Sequence, residues 1–177
     1  MYRQFSWAVL ASALIACGGD APTAPAASLA VGNAPVLSVT GSVHFTNPDF
    51  FGNPVEVRMI SFNAKKNENG EVSGRFEYHQ VFLGNTFKFT GEMTCLSVRG
   101  NRAWLGARVL DATNPARIGQ FGWWQVTDNG EGANDGADLG GLVGVGSEER
   151  NEQYCADQPD DISAVGPFPA KGNVQIR

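Results

Sequence analysis

The sequence predicts an all-β fold, a small antiparallel barrel of about eight strands, on three observations. Apolar and polar residues alternate in short runs. Gly- and Asn-rich turns separate those runs. No window of about eleven residues keeps apolar positions at i, i+3, i+4 and i+7 without Gly or Pro intruding. A two-sheet β-sandwich satisfies the same pattern. Glycines inside the runs, Gly74, Gly91, Gly106, Gly122 and Gly144, favour the barrel, because coiling and bulging of a closed sheet make use of them.

At the start of the chain, Arg3 precedes an apolar stretch, Phe5 to Ala16, that runs out at Gly18, Gly19 and Asp20. A membrane-spanning helix needs about 20 apolar residues, so residues 1–16 read as a secretory signal peptide and not as a span. The motif Leu14-Ile15-Ala16-Cys17 resembles the lipobox of bacterial lipoproteins. That resemblance implies cleavage just before Cys17, a diacylglyceryl group on its thiol, and an acyl chain such as palmitate on the new amine. Two or three chains hold a protein on its membrane, whereas one binds reversibly. Gly18 follows the cysteine where inner-membrane lipoproteins of the enteric type commonly carry Asp, so the resemblance favours the outer membrane over the inner one. An ordinary secretory signal with a coincidental cysteine is the alternative.

Residues 17–35 are rich in Ala, Pro and Gly and too poor in large apolar side chains to form a core, so they read as a lipidated cysteine followed by a flexible tether. Residues 36–177 form one β-domain of ordinary size. The formal charge of −5 becomes about −6 once Arg3 is removed, which leaves no basic stripe for nucleic acid.

Within the domain, strands are expected at Ser38 to Phe45 and Val55 to Phe62. After a turn at Glu68-Asn69-Gly70, Val72, Gly74, Phe76 and Tyr78 alternate with polar residues. The clearest strand is Thr86 to Cys95, where Phe87, Phe89, Gly91, Met93 and Cys95 are expected to share one face. A tight turn at Arg99 to Arg102 leads to Ala103 to Leu110, and further strands follow at Ile118 to Thr127, Gly141 to Gly146 and Asn173 to Arg177. The succession VSGRFEYHQ, FKFTGEMTCLSV, GNRAWLGARV, VTDNGEGAN and GNVQIR resembles uncharacterised secreted bacterial β-proteins of the post-COAP type. The resemblance covers about residues 38–177. It implies a single secreted β-domain and transfers no functional residue.

Besides Cys17 there are two cysteines, Cys95 and Cys155, and in an oxidising envelope they are expected to pair. Two reduced thiols are the alternative. With no Cys-x-x-Cys and only His44 and His79 available, these cysteines do not suggest a metal centre.

Three groups of residues are candidates for function. The run from Asp128 to Asp138 holds four carboxylates, Asp128, Glu131, Asp135 and Asp138, in a Gly-rich loop suited to wrapping oxygens round Ca²⁺. It fails the EF-hand spacing, and a plain solvated loop explains it too. Trp123 and Trp124 are adjacent and so face opposite sides of a strand. If Trp124 points inward, Trp123 with Phe50 and Phe51 forms either an exposed platform for a ligand or partner, or buried packing under a loop and at a barrel end. His44 could face the interior beside Glu56 or Glu92, while His79 reads as a solvated strand residue.

Motifs for hydrolase elbows, zinc proteases, dinucleotide sites and P-loops are absent. The sequence therefore leads to a membrane-tethered extracytoplasmic module that binds or scaffolds an envelope ligand or protein, without catalytic residues or an obligatory cofactor. The alternative is a barrel-type enzyme, an isomerase or hydrolase, with its site in the barrel mouth near His44.

Overall fold

The computed structural model describes residues 35–48, 54–131, 136–160 and 171–177. Eight antiparallel strands form one sheet: β1 (Pro35–Pro48), β2 (Pro54–Asn67), β3 (Val72–Phe82), β4 (Asn85–Arg99), β5 (Arg102–Ala112), β6 (Phe121–Thr127), β7 (Leu139–Gly146) and β8 (Lys171–Ile176). Every strand expected from the alternation is present, and most run a few residues longer. The spatial order is β7-β6-β5-β4-β3-β2-β1-β8, so each strand up to β7 pairs with its chain neighbour and β8 crosses back to pair with β1. The sheet curls strongly but stays open, a half-barrel with β7 and β8 as its edges.

Period-two alternation fills the inner face. Val39 and Val43 of β1, Ile60, Phe62 and Ala64 of β2, and Phe76 and Tyr78 of β3 meet Leu105 of β5, Trp124 and Val126 of β6 and Val174 of β8 in one cluster. Trp124 is fully buried between the rings of Phe62 and Phe76, with centroids at 5.9 and 5.6 Å. The backbone of Gly140 in β7 lies against Val43 of β1, since a Cβ built there would stand 3.0 Å from the valine methyl. The curl thus brings one edge strand down onto the core beside the other.

What joins those edges is the loop between β6 and β7. Ser38 and Arg177 exchange both backbone hydrogen bonds, so by antiparallel alternation the N–H groups of Val174 and Ile176 point away from β1, toward the open edge. Asp138 Oδ2 accepts from Val174 N at 2.6 Å, and Asp128 Oδ2 from Ile176 N at 2.9 Å. The free edge of β8 is therefore capped by two carboxylates and not by another strand.

On β4 the expected face assignment holds to Met93 and then fails. Met93 pairs with Ala107 but Cys95 with Gly106, so Thr94 is an extra residue. A bulge of one residue reverses every side chain beyond it. Leu96, 1% exposed, turns inward in place of Cys95, and Cys95 turns to the outer face.

There it meets a helix that the alternation argument did not anticipate, α1 (Glu148–Asp157). Ser147 Oγ accepts from Arg150 N, Glu148 and Glu149 occupy the first turn, and Gln158 closes the helix in the left-handed region. Asn151 donates to Thr94 Oγ1 at 2.9 Å and sits directly on Gly106, where any Cβ would stand 1.9 Å from its Oδ1. The Cys95–Cys155 disulfide, with Cα atoms 6.2 Å apart, fixes the helix to the sheet across 60 residues of chain.

On the chain-entropy relation a loop of that length is worth about 4 kcal/mol. Replacing both Cys95 and Cys155 by Ala should lower the unfolding free energy in urea by about that amount. A loss below about 1 kcal/mol would show that the outer wall holds without the bond.

Candidate functional site: the mouth of the half-barrel

One end of the half-barrel gathers the β3–β4 hairpin, the ends of β1 and β2, and the β5–β6 connection with its short 3₁₀ turn, Pro115–Arg117. At this mouth the inner-face phase of β2 continues outward from Phe62 and Ile60 to Arg58 and Glu56, and β3 sets Tyr78 and Gln80 opposite Ile60 and Arg58. Charged groups thus occupy the core face of the sheet. Glu56, 4% exposed, accepts on Oε1 from Arg58 Nε and from Gln80 Nε2, and its contact with Arg58 closes to 2.6 Å. Removing either partner would leave a buried charge, which is far costlier than the pair itself.

Tyr78, 2% exposed, lies beneath this pair and stacks on Phe89 with centroids 5.3 Å apart. Burial pushes its phenol up to about 12; the nearby Arg58 opposes that shift and Glu56 adds to it. Below Tyr78 is an apolar hollow of about 20 Å³, walled by Ile60, Phe76, Phe89 and Val109, with Trp124 lining its inner side and Arg117 at its edge. That volume admits one water-sized group. The indole Nε1 of Trp124 is buried without a protein acceptor.

The residues singled out from sequence do not converge here. His44 is exposed and pairs with Met59, on the face opposite Glu56. Glu92 is exposed on β4, three strands away from β1 across the sheet. Neither carboxylate therefore pairs with His44, and the expected interior His–acid pair does not form. His79 is half-buried on the outer face, opposite Met59 and Lys88.

Trp123 does face away from Trp124, but it is 8% exposed, packed against Tyr154 of α1 at 6.3 Å and lying over Gly144. This corrects the exposed-platform expectation for Trp123: the helix covers the ring. Phe50, Phe51 and Cys17 lie outside the described residues.

Asp135 of the acidic loop is also outside them, and the other three carboxylates have N–H partners. Asp138 accepts from Asn129 N and Val174 N, Asp128 from Gly130 N and Ile176 N, and Glu131 from the side-chain amides of Asn173 and Gln175. Among the described residues no three His, Cys, Asp or Glu side chains gather closely enough to hold a metal ion. One oxygen of each of the three, Asp138 Oδ2, Asp128 Oδ2 and Glu131 Oε1, is engaged in binding β8. Sequence reasoning missed the Glu56–Arg58–Gln80 group, although its signal was present: Glu56 and Arg58 are in phase with Ile60 and Phe62 along β2.

A raised phenol pKa stabilises the fold while the phenol is neutral. That contribution is complete below the unfolded value near 10 and is lost as pH rises through about 12. Stability measured by denaturant should therefore fall between about pH 10 and 12, and Tyr78→Phe should flatten that fall. An unchanged alkaline slope in Tyr78→Phe would contradict the assignment.

No family model, curated protein or solved structure matches this chain.

Proposed function

We propose that the protein is a lipid-anchored, extracytoplasmic β-domain that binds or scaffolds an envelope partner through the mouth of its half-barrel. The observation that carries this reading is the core face at the mouth, where the apolar hollow admits only one water-sized group and the charged pair is neutralised internally. Such a domain presents surface and a shallow site. The groups it buries are arranged for packing.

The rim supports the same reading. Phe82 is 40% exposed, Leu83 68% and Ile118 49%. Leu83 and Gly84 turn the β3–β4 hairpin with φ of 48° and 79°, a two-residue corner that Asn-Gly makes with less strain. An exposed leucine held in the left-handed region does little for the fold, and contact with a partner gives it a role.

Export is supported by the Cys95–Cys155 bond, which persists in oxidising compartments. The anchor rests on Leu14-Ile15-Ala16-Cys17. Pro35, where β1 begins, pairs with Asn67 beside the β2–β3 turn, at the end of the domain away from the mouth.

Fractionation of cells fed labelled palmitate tests the reading. The full chain should be labelled and sediment with membranes, and Cys17→Ser should be unlabelled and soluble. An unlabelled wild-type chain in the soluble fraction would overturn the anchor.

A further inference from the structure

The large apolar side chains left exposed among the described residues are not scattered. Val57, Phe82, Leu83, Ile118 and Val145 all stand at the mouth, on the ends of β2, β3 and β7 or in the β3–β4 and β5–β6 connections. Only Leu110 on β5 and Val36 at the far end lie elsewhere. Single exposed apolar residues are ordinary on a protein surface, whereas their segregation at one end marks a contact site. Leu83, 68% exposed, is the most exposed of them.

Both connections project. A Cβ built on Gly84, beside Leu83, or on Gly119, beside Ile118, would meet no atom within 4 Å. The Leu83 carbonyl at the corner accepts from Asn85 Nδ2 at 3.4 Å, within the turn itself. A projecting apolar tip of this kind suits a fluid apolar phase, which needs no matching pocket, whereas a protein partner is met through a complementary, closely packed surface. Cations flank the tip although the chain carries a formal charge of −5. Lys88 is joined to the β5–β6 connection by two hydrogen bonds with Thr113, and Arg117 precedes Ile118 in that connection. Both are exposed, and among the described residues neither forms a salt bridge; Arg117 donates to the neutral Oε1 of Gln120. Of the described acids at this end, Glu56 is buried against Arg58, Asp111 accepts from Ala112 N, and Glu148 and Glu149 sit in the first turn of α1 on the outer wall.

We infer that this rim inserts into an anionic phospholipid surface, with Phe82 and Leu83 entering the acyl boundary and Lys88 and Arg117 meeting the headgroup phosphates. Interfacial binding draws on both features: buried apolar area gives depth, and cations give preference for anionic lipid. Leucine in the left-handed corner then has a use that water does not give it. This inference names the partner of the mouth in the function proposed above and rests on that reading, although not on acylation of Cys17.

The test reads depth. Nitroxide labels on Leu83→Cys, on Ile118→Cys and, at the far end, on Asn69→Cys report contact with oxygen, which concentrates in lipid, and with a water-soluble nickel chelate. The full chain is mixed with vesicles of phosphatidylcholine alone or of phosphatidylcholine with phosphatidylglycerol, and the unsubstituted chain taken through the same labelling is the blank. On the anionic vesicles the labels at positions 83 and 118 should gain oxygen contact and lose nickel contact by about fivefold or more, while the label at position 69 keeps its aqueous values. Lys88→Glu combined with Arg117→Glu should lower the ratio of buried to exposed label at position 83 by about tenfold or more. An aqueous nickel contact at position 83 on anionic vesicles would overturn the inference. So would protection by a solubilised envelope protein fraction but not by vesicles, which would give the rim to a protein partner. A palmitate-labelled chain that sediments with the vesicles while position 83 stays in water would remove the lipid contact and leave the tethered module standing. Burial of position 83 in a chain without palmitate would keep the lipid contact and remove the anchor.

Discussion

The fold depends on how its eighth strand is held. A sheet that curls without closing leaves an edge of unpaired N–H groups, and here that edge reaches the core, because Val174 is 1% exposed and belongs to the central cluster. Water cannot serve such groups well. Asp138 and Asp128 do so from the β6–β7 loop, spanning the gap between the two edges of the sheet. Charge-assisted hydrogen bonds of this kind contribute about 1.5–3 kcal/mol each. Glu131 reinforces the clamp from outside by accepting from Asn173 and Gln175. The same loop leads into β7, whose Gly140 packs on Val43.

The second constraint lies on the outer wall. A single extra residue, Thr94, moves Cys95 from the core face to the outer face, and that reversal makes the disulfide to α1 possible. Trp104 and Trp123 would otherwise be exposed on β5 and β6, but the helix and the residues after it cover them, with Trp104 Nε1 donating to Pro159 O at 2.8 Å. With that wall covered and the edge capped, the described domain presents its apolar hollow at the mouth.

Much of this was legible in the residues. Alternation located all eight strands, and Glu68-Asn69-Gly70 and Arg99 to Arg102 marked the turns because glycine tolerates the positive φ found at Gly70 and Gly100. The helix was not legible from periodicity, since its sequence is polar nearly all round and buries only Asn151, Tyr154 and Cys155; the cap at Ser147 with two acids behind it was the available signal. The bulge at Thr94 has no sequence signature, so the face of Cys95 was misassigned. The acidic loop stood out for its charge, but composition does not distinguish a carboxylate that binds a cation from one that accepts a backbone N–H. The difference depends on a strand more than 30 residues further on, which is tertiary information. Alternation alone leaves His44 open to either face, and one step of register decides which.

Amide hydrogen exchange at β8 tests the clamp most directly. In the wild-type protein the N–H groups of Val174 and Ile176, which have no strand partner, should exchange as slowly as those of Gln175 and Arg177, which face β1. Asp138→Ala should speed exchange at Val174 by about ten- to a hundredfold, and more than at Gln175. If Val174 and Ile176 exchange in the wild type as fast as open edge amides, the carboxylates do not hold the strand and the account fails.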